Sequence, residues 1–201
     1  MLENHVSHNR GLVSIYPELD SRMSNWKYLP EKDALHGKNI LITGAGDGIG
    51  ASLSKTYASF GANLLLLGRT RSRLEVLFDW IKDNTDTNPT IVPCDLELLD
   101  ESMVFKLKEL ILENYEALNG LVNNASMLGP KVPIAHYPAE EWRRVFQVNA
   151  IAPFILTKGL FSLMDVCEEA CVINTSSTVD HDNTFKNYSS TGPGVTTGGS
   201  V

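Results

Sequence analysis

Short apolar runs alternate with amphipathic stretches of helical period along this chain, and few folds accept that alternation. Lys38–Thr43 (KNILIT) is an apolar, β-branched run that halts at a glycine cluster, as a buried strand does. Gly48–Phe60 then sets Ile49, Leu53, Tyr57 and Phe60 on one helical face, and Gly61 closes it. Asn63–Leu67 (NLLLL) predicts a second buried strand. Ser72–Asn84 repeats helical spacing through Leu74, Leu77, Phe78 and Ile81, with Ser72 and Glu75 placed as a capping box. Thr90–Val92, Leu118–Val122 and Ala170–Thr175 predict three further strands. Glu101–Tyr115 and Ala139–Met164 predict two further helices, the second bent or broken at Pro153. Strands apolar on both sides, separated by helices of about ten residues or more, imply a parallel sheet covered on two faces. With right-handed crossovers, the expected fold is α/β, a doubly wound parallel sheet that stops after about its fifth strand.

The regular pattern has edges. Residues 1–36 show no periodicity and are expected to be a flexible leader; residues 37–188 form the domain; residues 189–201, dominated by Ser, Thr and Gly, read as a disordered tail. His5 and His8 have no third ligand nearby, so no metal is expected. The 201 residues carry 17 basic and 24 acidic side chains, a net charge of −7. That balance argues against a nucleic-acid or anionic-membrane partner. No run approaches the roughly 18 consecutive apolar residues of a membrane span, and the N-terminus lacks the basic and apolar parts of a secretory signal. Cys94, Cys167 and Cys171 make no even framework and no Cys-x-x-Cys, so they read as small buried hydrophobes in a reducing, cytoplasmic protein.

The first strand runs into Thr43-Gly44-Ala45-Gly46-Asp47-Gly48-Ile49-Gly50, which opens a helix. Gly44 permits the tight turn, Gly48 lets backbone approach a phosphate, and Gly50 lets helix and strand pack closely. The helix start then offers free N–H groups and a partial positive charge to a pyrophosphate. Gly44, Asp47, Gly48, Ile49 and Gly50 are thus candidate dinucleotide contacts in a Rossmann-type site. No lysine followed by Ser or Thr comes directly after the last glycine, where Ala51 stands, which excludes a P-loop. A methyltransferase loop would carry an acidic residue where this chain has Ile42. At the end of the second strand, where an NAD site puts a carboxylate against the ribose, stand Gly68 and Arg69. Arg69 is suited to a 2′-phosphate, with Arg71 and Arg73 adding to the field, so NADP(H) is favoured over NAD(H). The plain alternative is that these arginines solvate a helix start.

Taken together, these residues resemble the short-chain dehydrogenase/reductase family. TGAGDGIG matches its Thr-Gly-x-x-x-Gly-x-Gly loop, and Asp95 falls where the family contacts the adenine. Asn123-Asn124-Ala125-Ser126 looks like its Asn-Asn-Ala-Gly motif, which adds Asn123 and Ala125 to the cofactor set. Gln147-Val148-Asn149-Ala150 and Ile173-Asn174-Thr175-Ser176-Ser177 resemble the segments carrying its catalytic asparagine and serine. Through LLLLGR and DGIG the chain looks most like bacterial oxidoreductases of the YciK type. The resemblance implies hydride transfer between a nicotinamide and a carbonyl or alcohol substrate. Asn149 would be the proton-relay residue, Ser177 would hold the substrate oxygen and Tyr188 would move the proton, in a dimer or tetramer. The plain readings are that Ser177 caps a helix and Asn149 bonds backbone within one.

The likeness runs from about Leu35 to Ser177 and then departs. Four residues past Tyr188 the family has a lysine; here stands Gly192, and Lys186 falls on the other side of a helix. Lowering a tyrosine from a pKa of about 10 to about 7 takes roughly 4 kcal/mol, for which that lysine is a main source. Two readings follow: an NADP(H)-dependent oxidoreductase, or a dinucleotide-binding chain without catalysis. The expected origin of the altered end is a truncated or frame-altered gene product. His136, Tyr137 and Trp142 are candidates for the substrate rim, against ordinary packing.

Overall fold

The computed structural model describes residues 30–175. Within them, β1 (Asn39–Thr43), β2 (Asn63–Gly68), β3 (Thr90–Pro93), β4 (Gly120–Asn123) and β5 (Cys171–Asn174) form one parallel sheet ordered β3-β2-β1-β4-β5. Helices α1 (Gly48–Ser59) and α2 (Arg71–Asn84) belong to one layer. Helices α3 (Glu101–Tyr115), α4 (Ala139–Phe146) and α5 (Ala152–Met164) belong to the other.

Side-chain alternation along the strands assigns the layers. Leu41, Leu65, Leu67 and Leu121 join Leu107 and Ile111 of α3 and Leu156 and Leu160 of α5 in one core. Their neighbours Ile40, Ile42, Leu64, Leu66 and Val122 join Ala58 of α1 and Leu74, Leu77 and Ile81 of α2 in the other. Leu64 to Leu67 are each 0% exposed, because a central strand of a two-faced sheet has no solvent side. This is the doubly wound sheet that the apolar runs predict.

Several local expectations give way to tertiary context. The break in the long helix falls before Pro153: Gln147–Ile151 is a single π turn, with the Ala152 N–H donating to the Gln147 carbonyl five residues back. Pro153 has no N–H for the Asn149 carbonyl, so the ladder widens ahead of it and Pro153 sits comfortably in the first turn of α5. The capping box at Ser72 does not form. The helix already begins at Arg71, its N-cap Thr70 makes no side-chain cap bond, and Glu75 pairs with Arg71 at 2.8 Å. The cysteines are less buried than expected: Cys94 and Cys167 are half-buried and Cys171 is exposed, since Cys171–Asn174 lie on the outer strand. Ala139–Met164 is long and apolar enough to cross a membrane by length and composition. Its apolar side, Val148, Ala152, Leu156, Leu160 and Leu163, is instead committed to the core that covers the sheet.

Residues 32–37 make turns in which the Leu35 N–H donates to the Phe60 carbonyl, and Leu35 packs against the α1–α2 core. The rest of the expected leader, 1–29, and the tail, 189–201, lie outside the described residues.

At the amino end of the sheet Asn39 acts as a clamp. Its Nδ2 donates to the Tyr115 and Ala117 carbonyls at 3.0 Å each, and its Oδ1 accepts from Asn63 at 3.0 Å. The carbonyls flank Glu116, whose φ of 61° is a left-handed conformation that a non-glycine residue adopts at a cost. Asn39→Ala should therefore lower stability by about 3 kcal/mol, read from urea unfolding, by stranding two carbonyls and releasing the turn.

Candidate nucleotide-binding site

The carboxyl ends of β1, β2 and β4 open on a cavity of about 800 Å³. It lies where the strand order reverses between β1 and β4, the place at which open α/β sheets take ligands. The wall contains Gly44, Asp47, Gly48 and Ile49 of the β1–α1 loop, Arg69 at the end of β2, and Asp95 after β3. It also contains Asn123 and Ala125 at and after β4, and Asn149 of the π turn. Residues spread over a hundred positions of sequence thus converge on one cavity. Ser177 and Tyr188 lie outside the described residues.

Thr43 builds the mouth of this cavity. Its hydroxyl donates to the Val122 carbonyl at 3.3 Å and accepts from the N–H groups of Asn124 and Ala125 at 3.0 Å each. One donor and two lone pairs are then fully used. The Thr43 carbonyl also accepts from Asn124 Nδ2 at 3.1 Å. The β4 loop is drawn so close that a Cβ on Gly44 (φ 66°) would sit 2.9 Å from Ala125 Cα. Gly50, expected among the cofactor contacts, is absent from the wall. A Cβ there would lie 2.2 Å from the Gly44 carbonyl oxygen and 2.7 Å from Asn124 Nδ2, so its part is the close packing of helix on loop.

The helix start is less free than the loop suggests. Asp47 caps α1, its Oδ1 accepting the Gly48 N–H at 2.8 Å, and its other oxygen pairs with Arg73. Gly48, with φ 49°, has open space where a side chain would project, which leaves its backbone approachable. Of the three arginines, Arg69 and Arg73 line the cavity, whereas Arg71 is engaged with Glu75 and does not.

Side-chain chemistry refines other assignments. Asp95 Oδ1 accepts the Glu97 N–H at 3.0 Å, folding the loop after β3 into an Asx turn. Asn123 Nδ2 donates to Asn174 Oδ1 at 2.9 Å, while its own Oδ1 is buried without a partner among the described residues. Asn149 does not bond within its helix. Its Oδ1 accepts the Met127 N–H and its Nδ2 donates to the Met127 carbonyl, both at 2.8 Å. The side-chain amide therefore positions the loop after β4. Tyr137 and Trp142 stack edge-on with ring centroids 6.0 Å apart and, like His136, stand off the cavity wall.

Sequence reading missed the residues that hold the loop after β3. Gln147 Nε2 donates to the Leu99 carbonyl at 3.2 Å, and Arg144 grips Glu97 through Nε at 2.8 Å and Nη2 at 3.1 Å. Arg144 and Gln147 share a helical face at i,i+3. Nothing in the local pattern names their partners, which lie 47 and 48 residues earlier.

Comparison with known proteins agrees with this geometry. The profile of the short chain dehydrogenase family matches residues 38–197. The chain belongs to the short-chain dehydrogenase family. The uncharacterized oxidoreductase YciK of Escherichia coli K12 is 36% identical over 152 residues, covering 76% of this chain and 60% of that protein. A Shigella flexneri 2a structure described as a short chain dehydrogenase complexed with NADP superposes with a TM-score of 0.71. It is 34% identical, over 73% of this chain and 62% of that one. An Escherichia coli CFT073 structure complexed with NADPH gives 0.71 at 35% identity, over 74% and 62%. The chain thus spans about three fifths of the length of these proteins.

Two outcomes test the site. Thr43→Val, which keeps the shape and removes the hydroxyl, should cost about 2–3 kcal/mol in urea unfolding, whereas Thr43→Ser should cost under about 1 kcal/mol. Burial, together with the neighbouring Asp95 carboxylate, pushes the Cys94 thiol above its ordinary value. Its thiolate fraction at neutral pH is correspondingly small. Iodoacetamide labelling followed by mass spectrometry should find Cys94 slower than exposed Cys171 at pH 7.5, with its rate rising about tenfold per pH unit above that.

Proposed function

We propose that the cavity binds NADP(H), and that the chain is the cofactor-binding part of an oxidoreductase acting between a nicotinamide and a small carbonyl or alcohol substrate. The observation that carries this reading is the pairing of a glycine cradle with Arg69 at the end of β2. An NAD site would place a carboxylate there, and here a guanidinium lines the wall. The cavity fits such a ligand on its own features. Gly48 leaves its backbone accessible on the wall, and the orphaned Asn123 Oδ1 is a buried acceptor for a ligand hydroxyl. NADP and NADPH in the similar structures from Shigella flexneri and Escherichia coli support the same choice.

In this reading the β1–α1 loop holds the pyrophosphate, and Arg69, helped by Arg73, meets the 2′-phosphate. Asp95 and Asn123 meet the adenosine half, and Ile49, 67% exposed on the cavity side of α1, gives the ligand an apolar surface. Asn149 keeps the loop after β4 in place through Met127. When bound, NADPH supplies a hydride from its nicotinamide ring. Ser177 would hold the substrate oxygen and Tyr188 would give the proton, which a neutral tyrosine does in the reductive direction without a lowered pKa. The protein would act in the cytoplasm on a small molecule, without nucleic acid or membrane.

A second reading has its own observation. Gly192 stands where the tyrosine's lysine belongs, and this favours dinucleotide binding without turnover. Titration of the full chain with NADPH and NADH, followed by fluorescence, tests the shared part. NADPH should bind at least about tenfold more tightly than NADH, and Arg69→Ala should erase the difference by weakening NADPH alone, as loss of a charge-assisted phosphate contact does. No binding of either dinucleotide would overturn both readings. NADPH oxidation with a panel of carbonyl compounds then separates them: turnover supports the oxidoreductase, and binding without turnover supports the non-catalytic chain.

A further inference from the structure

A carboxylate lies on the cavity wall beside the very arginine expected to read a phosphate. Glu97 lines the cavity with Arg69, its side chain is only 18% exposed, and its Oε1 lies 3.5 Å from Arg69 Nη1. Left to itself, such a carboxylate would act twice against a 2′-phosphate, by repelling the anion and by occupying the arginine. The fold supplies a second guanidinium to deal with it. Arg144 holds both carboxylate oxygens in a fork, Nε to Oε2 at 2.8 Å and Nη2 to Oε1 at 3.1 Å, the geometry in which arginine binds carboxylate best. Its remaining terminal nitrogen donates to Glu141 at 2.6 Å, which locks the guanidinium in place on its own helix. The contact from Arg69 is single and longer. Glu97 is therefore satisfied chiefly by Arg144, and its hold on Arg69 is the weaker of the two.

We infer that Arg144 is a positioning residue for cofactor choice: by forking Glu97 and neutralising its charge beside Arg69, it permits the cavity to accept a 2′-phosphate. The inference rests on the NADP(H) reading above and adds to it a residue that no contact with the dinucleotide would reveal. The carboxyl of Glu97 is held below the ordinary carboxylate range, chiefly by its hydrogen bonds to Arg144. Glu97 is thus fully charged at neutral pH, and the question of where its charge is directed is a real one. Without Arg144, the only guanidinium within ion-pairing distance of Glu97 among the described residues is Arg69.

The test measures dissociation constants of the full-length protein for NADPH and NADH at fixed, low salt, for wild type, Arg69→Ala, Arg144→Ala, Glu97→Gln and the double variant Arg144→Ala/Glu97→Gln. Arg144→Ala should weaken NADPH about tenfold and change NADH less than about twofold. The double variant should return the NADPH/NADH ratio to within about twofold of wild type, since the charge that Arg144 controls is gone. A purely structural role for Arg144 predicts the opposite, because removing its partner as well would repair nothing. Glu97→Gln alone should bind NADPH as tightly as wild type or more so.

An unchanged ratio in Arg144→Ala, no recovery in the double variant, or weaker NADPH binding by Glu97→Gln would each overturn the inference. If Arg144→Ala fails to give the native circular-dichroism spectrum, Arg144→Lys carries the test. It keeps the charge without the fork, and should lose part of the preference. Should wild type show no preference, or Arg69→Ala retain it, the NADP(H) reading fails and this inference with it. A preference that Arg69→Ala abolishes and Arg144→Ala leaves intact overturns the role of Arg144 alone.

Discussion

The hydroxyl of Thr43 joins two halves of the sheet that the chain order keeps apart. β1 and β4 are neighbours in space, yet Thr43 and Val122 are 79 residues apart, and helices leave these two strands toward opposite layers. A crevice opens wherever a sheet reverses its winding in this way. What gives this crevice a defined wall is that Thr43 satisfies one carbonyl and two N–H groups of the β4 end at once. Once those bonds are made, the Gly44 loop and Ala125 are in van der Waals contact, and Gly50 must pack under the Gly44 carbonyl. The glycines are consequences of that closeness as much as of any ligand.

A second set of constraints acts on the far wall. The loop after β3 carries Asp95 and Glu97 and has no regular structure of its own. It is held by an Asx turn from within and by Arg144 and Gln147 from the long helix. That helix is interrupted by a π turn immediately before Pro153, and Asn149 lies within the turn, bonded to the backbone of Met127. One helical segment thus holds both loops that border the cavity, after β3 and after β4. Charge is arranged with similar economy: Asp47 with Arg73, and Glu97 with Arg144, give two of the acids on the wall a guanidinium partner.

Much of this was legible in the residues themselves. The strands at Lys38–Thr43 and Asn63–Leu67 and the helix at Glu101–Tyr115 are local patterns, and they occur within a residue or so of where periodicity puts them. Other local signals lost to their surroundings. Ser72 and Glu75 have capping-box spacing, but Arg71 reaches Glu75 first and the helix starts a residue earlier. Pro153 marks a disturbance whose effect falls on the turn before it, because the missing N–H is felt by a carbonyl four residues back. The cysteines are small and apolar, yet Cys171 is exposed because it stands on the outermost strand.

By itself, the sequence determined the layer architecture, the glycine loop at the first strand–helix junction and the presence of a cation at the end of β2. Each depends on residues close together in the chain, where spacing and side-chain type act directly on backbone conformation. Only the tertiary structure decided what the polar side chains do. Thr43 bonds Ala125, Asn149 bonds Met127 and Arg144 bonds Glu97 across 82, 22 and 47 residues of chain, and a hydrogen bond or ion pair is a property of two positions in space. No pattern along the chain specifies which acid a given arginine will face until the sheet has brought them together.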